Sequence, residues 1–160
     1  MASDKRIGET GPALSGSGLS VGVVMSRFNE GVCRSLLGAC LEELQRLGVG
    51  DGDVRVVTVA GALEIPLALR ALALQGRCDA LVALGAVIRG ETYHFEVVSD
   101  QSAAGILQVQ LETGVPVANA VLTTNTDAQA EERAVVKGAE AARVAVEMAR
   151  LLEAIANERR

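Results

Sequence analysis

The sequence predicts an α/β fold: a three-layer α/β/α sandwich with helices on both faces of a parallel sheet of four main strands. Three observations predict it. Apolar, β-branched runs alternate with helix-period segments in the order β-α-β-α-β-α-β-α, the pattern of parallel strands joined by crossover helices. The run Ala80-Leu81-Val82-Ala83-Leu84-Gly85-Ala86-Val87-Ile88 is apolar throughout, as a strand covered on both faces must be. At 160 residues the chain suffices for one domain with a real core and is too short for two ordinary ones.

Residues 1–18 are rich in Gly and Ser, contain Pro12 and read as a flexible N-terminal arm. Residues 19–156 form the single domain, and 157–160 a C-terminal tail. Gly16, Gly18 and Gly22 precede the first strand instead of following it, so they fail the context of a dinucleotide-binding loop. Leu19 to Met25 reads as that strand, and Ser26-Arg27-Phe28-Asn29 as its turn. A helix from Gly31 to Leu47 carries Leu36, Leu37, Cys40, Leu41, Leu44 and Leu47 on one face, and Gly48 stops it. Val54 to Val59 is a second strand, rich in β-branched residues. After Ala60-Gly61-Ala62-Leu63-Glu64, Pro66 fits the first turn of a helix. That helix runs to Gln75 and is apolar nearly all round, which predicts two buried faces. Asp79 to Ile88 is the central strand. A turn through His94 opens a helix to Thr113, and Pro116 to Leu122 is a fourth strand. Thr123-Thr124-Asn125-Thr126 is a turn with helix-capping chemistry. Two helices end the domain, Asp127 to Ala134 and Gly138 to Ala156.

Composition narrows the function. Hydrophobic residues make up 49% of the chain and the mean hydropathy is +0.30. The surplus is Ala, Val and Leu, which predicts burial against copies of itself. A net charge of −5 argues against a nucleic-acid binder. No apolar run reaches the ~18 residues of a membrane helix. The first residues lack the apolar stretch of a signal peptide, so a cytoplasmic location is expected. Cys33, Cys40 and Cys78 are an odd number without metal spacing and read as reduced, structural residues. P-loop, HExxH and nucleophile-elbow motifs are missing, and one histidine without spaced partners is poor material for a metal site. No metal and no cofactor is expected.

The chemistry-bearing residues stand where strands end, which in open α/β sheets is where ligands bind. Arg89-Gly90-Glu91-Thr92-Tyr93-His94-Phe95 follows the central strand and holds the only histidine and two of the three aromatic residues. It combines an anion binder, Arg89, with an imidazole, the side chain that exchanges protons near neutral pH, and two flat faces. The third aromatic, Phe28, follows the first strand and offers a stacking face. The helix N-terminus after Glu91-Thr92 is a ready phosphate site, with His94 placed to pass protons one turn further in. Glu64 reads equally as a first-turn acid or a ligand contact. Arg133 and Lys137 read as ordinary solvated helix charges. Four turns are expected to gather at one sheet edge, bringing together Phe28, residues 61–64, residues 89–94 and residues 119–125.

Four blocks, Ser26-Arg27-Phe28-Asn29, Gly61-Ala62-Leu63-Glu64-Ile65-Pro66, Gly85-Ala86-Val87-Ile88-Arg89-Gly90-Glu91-Thr92-Tyr93-His94 and Val121-Leu122-Thr123-Thr124-Asn125-Thr126, resemble the signature of the lumazine synthase family of riboflavin biosynthesis. The resemblance covers residues 19–153 and implies a flavodoxin-like fold. It also implies the condensation of 5-amino-6-(D-ribitylamino)uracil with 3,4-dihydroxy-2-butanone 4-phosphate to 6,7-dimethyl-8-ribityllumazine, with loss of phosphate and water and no cofactor. By motif, Phe28 would stack on the pyrimidine. Ala62, Leu63 and Glu64 would hold the ribityl chain, and Ala86, Val87 and Ile88 would bind the ring edge. Glu91 and Thr92 would cradle the phosphate with Arg133 as charged partner, and His94 would transfer protons. Asn119 stands where many members carry Phe, and would hydrogen-bond the ring instead of stacking on it. Lys137 would point to the pyrimidine, though its link to Arg133 is shorter than in many members. The two small-molecule substrates would bind between adjacent subunits of a homo-oligomer, and the family leaves pentamers, decamers and 60-subunit shells open. It also leaves riboflavin synthase open as a partner.

Two other readings explain less. A flavin-binding or shell-forming relative without catalysis needs neither His94, Arg133 nor the Gly90-Glu91-Thr92 turn. A flavodoxin-like mononucleotide binder needs a phosphate loop after the first strand, and Ser26-Arg27-Phe28-Asn29 is a poor one.

Overall fold

Four strands, β1 (Val21–Ser26), β2 (Val54–Val59), β3 (Ala80–Ile88) and β4 (Val117–Thr124), alternate with four helices, α1 (Glu30–Arg46), α2 (Ile65–Leu74), α3 (His94–Thr113) and α4 (Asp127–Ala156), in the computed structural model, which describes residues 7–158. All strand pairs are parallel and the order across the sheet is β2-β1-β3-β4. The chain therefore starts inside the sheet, winds outward to β2, then crosses to β3 and β4. Among the described residues no helix is long and apolar enough to cross a membrane. The first six residues of the expected arm and the last two of the expected tail lie outside the described residues.

Alternation along each strand sends side chains to two separate cores. Val21, Val23, Met25, Val82 and Leu84 pack with Leu36, Cys40 and Leu44 of α1 and the alanines of α4. Val24, Leu81 and Ala83 pack on the other face with Ile65, Leu69 and Leu72 of α2 and Ile106 and Val109 of α3. The aromatic-poor composition is explained here. α4 lays Ala130, Ala134, Ala141, Ala142, Ala145 and Ala149 against the first core, and small side chains let it lie close.

Three expectations change. The C-terminal region is one 30-residue helix, not two. Gly138, which reads as a break, is buried mid-helix because a Cβ there would stand 2.4 Å from the main-chain oxygen of Leu36. The fourth strand runs past Leu122 to Thr124, since Thr123 and Thr124 pair with Val87 and Ile88 instead of turning. α2 buries one face only: Leu67 and Leu74 are exposed, Leu67 at 75%. At the end of the expected arm, Arg150 of α4 donates to the main-chain oxygens of Ser15 and Ser17, and the Gly16 N–H donates to Leu47 O.

Candidate active site

The register of the sheet makes the rim. β1 pairs with β3 from Val21↔Ala80 to Met25↔Leu84 and then leaves, while β3 continues to Ile88 against β4 alone. Leu81 N–H donates to Pro116 O and Arg89 N–H to Thr124 O, so odd-numbered residues of β3 face β4. Strand alternation then turns the main-chain groups of Ala86 and Ile88 toward the space β1 has left.

Two residues beyond the end of β1 stands Phe28, 65% exposed. Its N–H donates to Ala60 O at 3.0 Å, and its carbonyl accepts from the Cys33 thiol at 3.5 Å. Its ring lies on Gly61, where a Cβ would meet Phe28 Cδ2 at 2.7 Å. Glycine at 61 is therefore what lets the ring lie down. Glu64 Oε1 accepts from Gly61 N–H at 3.1 Å, so its carboxylate closes the short 3-10 turn Ala62–Glu64 and makes no cap bond to α2 itself. Ala62 is buried beneath the turn and Leu63 is exposed. Burial pushes the Cys33 thiol up from its ordinary pKa and Cys40 to about 12, so both stay protonated and structural.

Beyond β3 the chain turns through exposed Gly90, Glu91, Thr92 and Tyr93. Sequence spacing sets His94 one turn inside the helix, but it is the first residue of α3, and its N–H donates to Thr92 Oγ1 at 3.4 Å. Arg89, the expected anion binder, is committed elsewhere. Its Nε donates to Asn125 Oδ1 at 2.9 Å, it pairs with Glu96, and its guanidinium lies 4.3 Å over the Phe95 ring. The Arg89 partner holds the Glu96 carboxyl below the usual carboxylate range. Arg89 is thus a brace that fixes the turn from the β4 side. Phe28, residues 61–64, the β3 edge and the His94 turn therefore share one rim.

Asn119 does not join them. It sits mid-strand opposite Ala83, its Oδ1 accepting from Val121 N–H at 2.9 Å. It lines a cavity of about 320 Å³ between the outer edge of β4 and α4, with Thr123, Arg133, Lys137 and Glu140 among its walls. Arg133 and Lys137, four residues apart on one continuous helix, fall on the same face. Arg133 Nη1 donates to Gln129 O at 2.9 Å, and Lys137 Nζ lies 3.3 Å from Glu140. Two cations line the cavity against one lining carboxylate, Glu140, while Glu132, 3.9 Å from Arg133, stands outside the lining; the planar guanidinium suits an anion. Phe28, Glu64 and His94 do not line the cavity. One chain therefore carries a rim with a flat aromatic face and an imidazole, and a separate wall bearing Arg133 and Lys137.

Two organising residues escape sequence reasoning. Asn29 reaches across 57 residues to donate to Ala86 O, and Gly61 matters only because of the ring above it. An asparagine before a helix was the only local signal for the first.

The sequence model of the family described as 6,7-dimethyl-8-ribityllumazine synthase matches residues 18–153. The protein of that name from Nitrosospira multiformis is 62% identical over 151 residues, covering 94% of this chain and 94% of its own. Those from Paraburkholderia phymatum and Burkholderia multivorans are each 62% identical over 149 residues, covering 93% of this chain and 87% of theirs.

Proposed function

The chain belongs to the 6,7-dimethyl-8-ribityllumazine synthase family, and we propose that its working site is closed by two copies of the chain, one offering the rim and the next offering the cationic wall. The enzyme condenses 5-amino-6-(D-ribitylamino)uracil with 3,4-dihydroxy-2-butanone 4-phosphate to 6,7-dimethyl-8-ribityllumazine, releasing phosphate and water. The observation that carries the two-copy reading is the separation just described: Asn119, Arg133 and Lys137 share a cavity that excludes Phe28, Glu64 and His94.

In this reading the pyrimidine stacks on the Phe28 face, and its edge meets the main chain of Ala86, Val87 and Ile88. The ribityl chain lies along Ala62, Leu63 and Glu64. The phosphate rests on Glu91-Thr92 at the start of α3, where main-chain N–H groups and the helix dipole favour an anion. Arg133 of the adjoining copy supplies the compensating charge, and Asn119 and Lys137 of that copy reach the ring.

The chemistry needs little more. The amine of one substrate attacks the ketone of the other, and water leaves to give an imine. Phosphate is eliminated, the resulting enol ketonises, and the second nitrogen closes the ring with loss of water. Several steps move protons, and His94, the first residue of α3 directly after the phosphate turn, is the group that relays them in this reading. Relay of this kind is worth roughly 10²–10⁴-fold, while holding two reactants in register supplies much of the rest. Mixing the protein with both substrates and following lumazine absorbance tests the reaction. His94→Ala is expected to retain measurable turnover, slowed within that range. Complete loss of turnover with substrate binding intact would contradict a relay role. Association with riboflavin synthase is proposed on family grounds alone, and co-sedimentation of the two enzymes tests it; a cytoplasmic location is proposed beside it.

A further inference from the structure

Asn29 forgoes the capping role that its position offers. It is the only non-glycine residue with positive φ among the described residues, at φ 61° and ψ 51°, a conformation that L side chains seldom adopt. It also stands at the N-cap of α1, where Asn normally accepts from the first helical N–H groups from an extended backbone, yet it makes no such cap bond. Its Nδ2 instead donates to Ala86 O at 2.9 Å. A side chain that gives up a local cap for a bond 57 residues away points from geometry to function.

The partner explains the arrangement. Ala86 is two residues beyond Leu84, the last residue of β3 paired with β1. Its carbonyl faces the side β1 has abandoned. The Asn29 amide supplies the rung that a longer β1 would have given. Ile88 is then the next main-chain pair on that edge with no β1 partner. The same residue fixes the ring beside it: Phe28 is held by Ala60 through its N–H, by Cys33 through its carbonyl and by the left-handed turn of Asn29 that follows.

From these observations we infer that Asn29 is a positioning residue for the pyrimidine substrate: its amide closes the sheet ladder at Ala86 and so sets the gap between the Phe28 face and the free β3 edge at Ile88. The inference rests on the reading of the rim given above. It confines the effect to one substrate, because the phosphate turn is braced from the opposite side by Arg89 through Asn125 and Glu96.

Two variants test it by steady-state kinetics with each substrate varied in turn. Asn29→Gly keeps the left-handed backbone and removes the amide; Asn29→Asp tolerates that backbone and removes the donor. Each is expected to raise KM for 5-amino-6-(D-ribitylamino)uracil about three- to tenfold, the size of one lost neutral hydrogen bond. KM for the phosphate substrate and kcat are expected to stay within about twofold, inside the weakest effect of such a bond. An unmoved pyrimidine KM in both variants would overturn the inference, and so would an equal rise in both KM values, which is the mark of general loosening. Phe28→Ala separates the two levels. If it too leaves the pyrimidine KM unmoved, the rim reading fails; if it raises that KM while both Asn29 variants do not, only the role of Asn29 falls.

Discussion

A methyl group at position 61 would occupy the space in which the Phe28 ring rests. The ring is mostly exposed, so it can swing away at small cost to the fold. Gly61→Ala is therefore expected to leave thermal stability nearly unchanged and to raise KM for the pyrimidine substrate about tenfold, of the order of one displaced aromatic contact. A variant with native KM would show that the ring's seat is unimportant. Residues at this scale were unevenly legible. Phe28 and His94 stood out because aromatic and imidazole groups are scarce in this chain and stand after strand-like runs. Arg133 and Lys137 did not, because an exposed helix cation looks the same whether it meets solvent or a neighbour's ligand; only the family resemblance raised them. Arg89 misled: a charged residue at a strand end suggests a ligand, and its actual partners, Asn125 and Glu96, are 36 and 7 residues away.

Among the elements, α1 and α4 meet closely where Gly138 faces the main chain of Leu36. Gly138→Ala brings two opposed effects. Alanine favours a helix over glycine by roughly 1 kcal/mol, but its Cβ would press on a main-chain oxygen at 2.4 Å, which cannot rotate away. The clash is expected to win, with net destabilisation of about 1–3 kcal/mol, read as a lower denaturant midpoint. The same two helices are joined at Glu43, nearly buried, which accepts from Arg46 on its own helix and from Arg143 of α4. Hydrogen bonds from Arg46, then from Arg143, hold its carboxyl below the ordinary range. Its contribution is therefore present above the unfolded-state pKa and is lost as pH falls through the folded one. Wild type is expected to exceed Glu43→Gln by no more than about 1 kcal/mol near neutrality, since Arg46 is largely and Arg143 partly exposed. That gap should close below about pH 4; a gap that widened on acidification would contradict the assignment. The alternation of strands and helices was legible because each is written in short-range periodicity. The unity of α4 was not, since a mid-helix glycine means either a break or a close neighbour, and the neighbour is a turn of α1 a hundred residues earlier.

At the scale of the whole molecule, the chain leaves apolar surface that its own fold does not cover. Leu67 and Leu74 of α2 and Leu107 and Leu111 of α3 are exposed, Leu111 at 74%, on helices that pack against each other. The excess of aliphatic residues foretold this, whereas the number of copies is set by interface angles that no periodicity encodes. Such surface fits association with further copies, and the proposed two-copy site would give that association a chemical purpose. The direct measurement is complementation. A Phe28→Ala/His94→Ala double variant has a defective rim and a sound wall; Arg133→Ala has the reverse. Each is assayed alone at limiting phosphate substrate, then both are unfolded together and refolded as a mixture. If each site joins the rim of one copy to the wall of the next, random mixing in a ring rebuilds about a quarter of the sites, and activity rises well above the average of the two parents. If rim and wall of the same copy serve one site, every copy stays defective, and the mixture shows only that average.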